Sequence, residues 1–204
     1  GEFTVIDIAD GSLPTGTPGL EVDRGFVTDA HVPLTNLGFQ ETSGLDVSAT
    51  KYFDLGERGE LALLADAAYL FEFKRQASAG ATIEDEAGQF TYPELTATAR
   101  LRWTKGPWRA SVRGRYVSSY EDDPSPRTLA AVGLDEDATV DVDSWLTFNA
   151  SVSYDYGENS FVQLTIDNLF DEDPPLALGT SANVDHFNHN SLGRFITLRV
   201  GHAF

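Results

Sequence analysis

A period of two runs through five consecutive segments of the chain, and it constrains the fold more than any other feature. In Gly193 to Phe204, Ile196, Leu198, Val200 and Phe204 share one face, opposite Thr197, Arg199 and Gly201, and His202 is the one polar residue on the apolar side. Val162, Leu164 and Ile166 oppose Gln163, Thr165 and Asp167. Leu146, Phe148, Ala150, Val152, Tyr154 and Tyr156 oppose Thr147, Asn149, Ser151, Ser153 and Asp155. Ala110, Val112, Gly114 and Tyr116 oppose Arg109, Ser111, Arg113 and Arg115, and Leu95, Ala97, Ala99 and Leu101 oppose Thr96, Thr98, Arg100 and Arg102. Side chains alternate faces along a strand, so each segment reads as a β-strand with one apolar face. Upstream the pattern is less clean. Leu61, Leu63, Ala65, Ala67, Tyr69, Phe71 and Phe73 share a face, but Leu64 and Leu70 fall on the polar side. Leu45, Val47, Ala49 and Phe53 alternate with Asp46, Ser48, Thr50 and Asp54, and Phe3 to Ala9 reads as a short first strand. The expectation is eight strands and no helix.

The connections sharpen this reading. Those around Leu55–Arg58, Lys105–Gly106 and Gly157–Asn159 are short, and those around residues 10–33, 77–89, 122–143 and 171–192 are long. Short and long alternate, so an antiparallel meander places all short turns at one end and all long loops at the other. That asymmetry marks transmembrane barrels more than soluble ones. Parity agrees. Apolar residues are odd-numbered before Lys105–Gly106 and even-numbered after, which requires an even loop; a two-residue turn there sets Trp103 opposite Trp108 and Arg102 opposite Arg109. Around Gly157 apolar residues are even on both sides, which requires an odd loop.

Composition narrows the setting. Lys and Arg number 14 against 32 Asp and Glu, a net charge of −18, which argues against a nucleic-acid partner. With no cysteine there is neither a disulfide framework nor a thiolate metal site. Methionine is absent even at position 1, so a processed product or a piece of a longer chain is expected. The longest apolar run, Leu61 to Phe71, is broken by Asp66 and falls short of the ~18 residues of a spanning helix. Barrel strands, however, hide their apolar residues in alternation. Tyr52, Phe53, Phe71, Phe73, Phe90, Tyr92, Trp103, Trp108, Tyr116, Tyr120, Tyr154 and Tyr156 collect near strand ends. Interfacial girdles of a membrane barrel and plain β-propensity both account for that placement.

The stretch Asp167-Asn168-Leu169-Phe170-Asp171-Glu172-Asp173-Pro174-Pro175 resembles the penultimate-strand ending of TonB-dependent outer-membrane receptors, with Asp173 inserted before the prolines. Gly193-Arg194-Phe195, leading to a terminal Phe204, is similar to their last strand, and Asn36-Leu37-Gly38 with Ser43-Gly44-Leu45-Asp46 is similar to an earlier one. The resemblance implies an all-β fold: an antiparallel transmembrane β-barrel meander in the bacterial outer membrane. About eight strands make residues 1–204 the C-terminal third of a 22-stranded barrel, with the plug domain and earlier strands absent. It further implies a transporter rather than an enzyme, importing a scarce nutrient with a ferric siderophore as the default. No cofactor is expected. The implied partners are membrane lipid and lipopolysaccharide, the receptor's own plug, TonB and a small-molecule substrate. A stand-alone eight-stranded barrel acting as anchor or small-ligand binder is the alternative.

If the apolar face meets lipid, Arg100, Arg102, Arg109, Arg113 and Arg115 line the lumen. Arg113 and Arg115 are the substrate-binding candidates for an anionic ligand; pairing of the five with carboxylates of the plug or of neighbouring strands is the competing role. Ile196, Leu198, Val200 and Phe204 are, by the resemblance, the signal read by the assembly machinery. Eight acids between Glu121 and Asp143 lack the spacing of a calcium loop and read as a solvated surface. His186 and His189, near Asp185, are weak candidates for metal ligands because their spacing suits a helix and a loop is expected. No metal site is assigned, and no catalytic triad or phosphate loop is present.

Overall fold

The computed structural model describes residues 2–6, 26–31, 38–78, 80–157 and 159–202. Two units are distinct, residues 1–38 and residues from Phe39 onward. In the first, β1 (Glu2–Ile6) pairs antiparallel with β2 (Phe26–His31). Of the expected strand over Phe3–Ala9, residues 7–9 lie outside the described residues, and a second strand stands where only a connection was expected. Phe26–His31 is too short for its alternation to be read against its neighbours.

The second unit is an antiparallel meander. Its strands are β3 (Gln40–Asp54), β4 (Glu60–Gln76), β5 (Ile83–Asp85), β6 (Leu95–Lys105), β7 (Trp108–Val117), β8 (Tyr120–Glu121), β9 (Asp141–Val142), β10 (Trp145–Tyr156), β11 (Ser160–Asp167) and β12 (Phe195–His202). The main sheet runs in chain order β3-β4-β6-β7-β10-β11-β12, with β5 added beside the end of β4. Among the described residues β3 and β12 are unpaired edges, so the sheet is open. β8 and β9 pair with each other in the connection between β7 and β10. That connection also contains α1 (Pro126–Ala131), which corrects the expectation of no helix. The Ser125 hydroxyl accepts the Thr128 N–H at 3.2 Å and Pro126 opens the helix, a capped start that period-two reasoning does not register.

The hairpin between β6 and β7 corrects the register. Lys105 faces Trp108, so the turn is Gly106-Pro107, Trp103 faces Ala110, and Arg102 faces Ser111. Sliding the pairing by two residues leaves every side chain on its face, so alternation cannot distinguish the registers. Turn chemistry does: Pro107 has no N–H for the ladder, and Gly106 takes φ 53°, which two-residue hairpins favour and glycine adopts without clash. The loop at 157–159 has the three residues that parity requires, with Tyr156 facing Ser160.

The registers align whole rows across the sheet. On the apolar face, Leu63, Leu101, Val112, Ala150, Ile166 and Ile196 form one continuous row. No layer of the described chain covers this face. Val112 is 44% exposed, Leu146 49% and Leu198 68%. A bulge at Ser43/Gly44 leaves Phe71 without a partner on β3. The buried apolar residues are Ala62, Val117, Tyr120, Leu129, Val142, Trp145 and Ala177, and most belong to the strand ends and loops at the long-loop end.

The β11–β12 connection is closed by the residues that carried the resemblance. Asn168, at φ 50°, accepts the Glu172 N–H on Oδ1 at 2.9 Å and donates Nδ2 to the Glu172 carbonyl at 2.9 Å. Asp171 Oδ1 accepts the Arg194 N–H at 2.7 Å, fastening the start of β12 to the end of β11. A Cβ at Gly193, itself at φ 64°, would lie 3.3 Å from that carboxylate. Asn168→Ala removes both side-chain bonds and puts an alanine in a left-handed conformation. It should lower stability by about 1–3 kcal/mol, and more than Asn168→Gly, which loses the bonds without the strain. Thermal unfolding of the intact protein checks this; equal midpoints for all three proteins contradict it.

Candidate functional site

The polar face of the sheet carries a ladder of arginines. Arg100 stands opposite Arg113, which in turn faces Asn149; Arg115 stands between Thr98 and Thr147. The like-charged cross-strand pair is thus Arg100 with Arg113 rather than Arg102 with Arg109. Arg109 lies near the short-turn end and pairs with Asp155 at 2.5 Å. Arg113 and Arg115 lie toward the long-loop end, beneath the 168–194 connection, where Arg115 Nη1 donates to the Asn188 carbonyl at 2.7 Å.

Above them three long connections lock into a single cap. Tyr120 donates its hydroxyl to Asp185 Oδ2 at 2.7 Å. Asn188 Nδ2 donates to the same oxygen at 2.8 Å and to the Thr91 carbonyl at 3.0 Å. The Asp122 carboxylate accepts the N–H groups of Leu178 and Gly179, and Glu121 N donates to the Gly88 carbonyl at 2.8 Å. Val117, Tyr120, Val142 and Ala177 pack together behind these bonds, with Phe90 against them. Asp185 is fully buried. Burial alone pushes its carboxyl up, but hydrogen bonds from Tyr120, Asn188 and the Phe187 N–H, with the nearby His189, outweigh it and hold the group below the usual carboxylate range. Burial, then the bond to this carboxylate, pushes the Tyr120 hydroxyl far above the ordinary tyrosine range, so it remains a donor.

Between cap and sheet lies a cavity of about 360 Å³. Its floor is Arg113 and Arg115 of β7 with Thr147 and Asn149 of β10; Trp145, Asp167 and Asn168 flank it, and residues 187–190 roof it. The two arginines singled out from the sequence therefore line one cavity. His189 joins them, 5% exposed, with its ring stacked on Tyr120 (centroids 6.0 Å apart, planes at 7°) and met edge-on by Trp145 (5.3 Å, 89°). His186 is exposed, so the two histidines do not form a pair. No group of three or more His, Asp or Glu is placed to hold a metal among the described residues. Of the eight loop acids, Asp122 is a buried structural acceptor, contrary to a wholly solvated loop. Ile196, Leu198 and Val200 lie on the exposed apolar face opposite Ile166, Leu164 and Val162; Phe204 lies outside the described residues.

Residues 6–169 match the family model described as TonB dependent receptor-like, beta-barrel. The chain belongs to the TonB-dependent receptor family. The match runs from Ile6, the last residue of β1, to Leu169, just past β11, so the cavity's floor lies within it and its roof beyond it. No curated protein matches the chain. Members of this family are outer-membrane transporters, and the sheet is accordingly wall of such a barrel. Residue spacing offers no cue to Tyr120, Trp145 and Asp185 as cap residues, since only the fold brings residues 120 and 185 together.

The cap should loosen with acid. Asp185 is held below its unfolded value near 3.9, so its contribution is complete above about pH 4 and is lost as pH falls through the folded value. Burial also lowers the His189 imidazole, so this site too favours the folded state above about pH 6.5 and opposes it on acidification. Tyr120→Phe removes one donor and should cost about 1–3 kcal/mol locally. Amide exchange over residues 185–189 should then speed up, most at low pH. Unchanged exchange in this variant contradicts the clasp.

Proposed function

We propose that this chain is the C-terminal third of a 22-stranded transporter barrel that imports an anionic ferric siderophore. Its own plug fills the lumen, and TonB supplies the driving contact from the periplasm. The observation that carries the reading is the presence of Arg113 and Arg115 in one cavity at the long-loop end. The chain as a whole is strongly acidic, with 32 carboxylates against 14 Lys and Arg, yet guanidinium groups concentrate on this hairpin. Guanidinium forks favour carboxylate and phenolate oxygens, and a positive site in an acidic protein selects anions.

The same reading gives the remaining parts their partners. The apolar rows meet membrane lipid, the acidic loops meet lipopolysaccharide, and Ile196, Leu198, Val200 and Phe204 form the strand read during assembly. The alternative of a stand-alone eight-stranded barrel draws less support, because β3 and β12 are open edges among the described residues.

Charge reversal tests the reading. Arg113→Glu or Arg115→Glu in the intact receptor should cut uptake of radiolabelled iron as ferric siderophore by about tenfold or more at unchanged membrane levels. Arg113→Lys, which keeps the charge, should retain more of it. Uptake unaffected by either reversal contradicts the reading.

A further inference from the structure

The apolar face changes character toward the short turns. Over residues 45–53, 61–73, 95–105, 108–116, 146–156, 160–166 and 196–202 its positions carry no Asp or Glu and two lysines, Lys51 and Lys105. The chain has three lysines in all. Lys105 ends β6 and shares its row with Trp108, Tyr154, Val162 and Val200. Lys51 stands near the end of β3, and its Nζ lies 6.0 Å from the centre of the Phe53 ring, so it leans toward the same end. Lysine is costly in hydrocarbon and at rest where its amine reaches the headgroup level. Trp108 and Tyr154 pack at that level with ring centres 4.6 Å apart.

The β3–β4 turn brings another cation beside Lys105. Trp103 Nε1 donates to the Arg58 carbonyl at 2.8 Å, which ties the turn to the apolar face of β6. Gly59 abuts the end of β6 so closely that a Cβ there would lie 2.8 Å from Lys105 Cβ. Arg58 and Lys105 are exposed, and neither side chain makes an ion pair or hydrogen bond among the described residues. Of the acids nearby, Asp54 accepts the Gly56 N–H at 2.8 Å and Glu60 faces Thr104 on the polar side, which leaves Glu57 in the turn itself.

Beside these cations an apolar trough of about 270 Å³ opens on the face. Leu61, Trp103, Ala110 and Leu164 line it in the row next to Lys105, and Ala150 and Ile166 line it one row further on. The trough therefore leads from the cations toward the middle of the hydrocarbon.

We propose that this end of the apolar face seats an anionic phospholipid of the surrounding bilayer, with Arg58 and Lys105 holding its phosphate and one acyl chain lying in the trough. Charge selects the occupant, because a face with cations and no carboxylate favours a net negative headgroup over a zwitterionic one. Short turns of such barrels face the periplasm, so the lipid belongs to the inner leaflet. The seat is independent of the transported substrate.

The test adds lipid to the delipidated intact receptor in detergent and counts bound molecules by native mass spectrometry. The probes are palmitoyl-oleoyl phosphatidylglycerol and the matching phosphatidylcholine. The parent should bind its first phosphatidylglycerol about tenfold more tightly than phosphatidylcholine. Arg58→Gln and Lys105→Gln should each weaken phosphatidylglycerol about fivefold and leave phosphatidylcholine unchanged. Arg58→Lys combined with Lys105→Arg keeps both charges, should keep the binding, and serves if the glutamine variants do not fold. Ala150→Phe fills the trough and should weaken phosphatidylglycerol with the charges intact. Glycerol phosphate, a headgroup without chains, should not displace the lipid. Equal affinity of the parent for both lipids, or phosphatidylglycerol binding unchanged in the glutamine variants, leaves an unselective lipid annulus and overturns the proposal. Binding unchanged in Ala150→Phe, or displacement by glycerol phosphate, reduces the seat to a surface phosphate site and overturns it as well. A receptor dimer that takes up no lipid and dissociates in Ala150→Phe assigns the face to a second copy, again against the proposal.

Discussion

A sheet that turns its leucines, valines and isoleucines outward over seven strands needs a medium that does not penalise them. In water, the row from Leu63 to Ile196 would be an aggregating surface. In hydrocarbon the same face is at rest, and the cost moves to the backbone, whose N–H and C=O groups find no water there. The ladders from β3 to β12 satisfy them pair by pair, which is why the structure is a meander with short turns rather than strands joined by crossovers. Lipid on one face also frees the other. Polar and charged side chains can then stand in register along that other face, as Arg100, Arg113 and Asn149 do.

With no second layer to pack against, the ordinary protein core shrinks to the cap. Its apolar part is small, Val117, Tyr120, Val142 and Ala177, and hydrogen bonds do much of the joining. Asp122 and Asp185 each gather donors from other connections, so three loops that are far apart in sequence hold one shape. That shape roofs the arginine ladder and makes a cavity at the long-loop end of the sheet. A site on strands, roofed by a clasped loop, holds Arg115 through the Asn188 carbonyl.

Alternation made the faces of β6, β7, β10, β11 and β12 legible, and connection lengths made the meander legible, because both depend only on residue spacing. What failed depends on something else. The pairing of Trp103 with Ala110 rather than Trp108 turns on Pro107, whose missing N–H excludes it from the ladder. The α1 helix depends on a cap at Ser125. Arg113 and Arg115 could be placed on the inner face from parity alone, but not in a cavity, since the roof arrives from residues 187–190. His189 was visible only as a loop histidine near Asp185; that its nitrogens are buried follows from Tyr120 and Trp145, which the sequence places far away.

The central claim is that the apolar face meets lipid and the arginine face meets the lumen. The chain has no cysteine, so single cysteines at Val152, Leu164 and Leu198, and at Arg113, Thr165 and Arg199, can each carry a spin label in the intact receptor in bilayers. Labels of the first group should collide with oxygen dissolved in the lipid and be shielded from an aqueous nickel complex, while those of the second group show the opposite preference. Nickel access at Leu164 together with oxygen access at Thr165 would turn the sheet inside out and contradict the account.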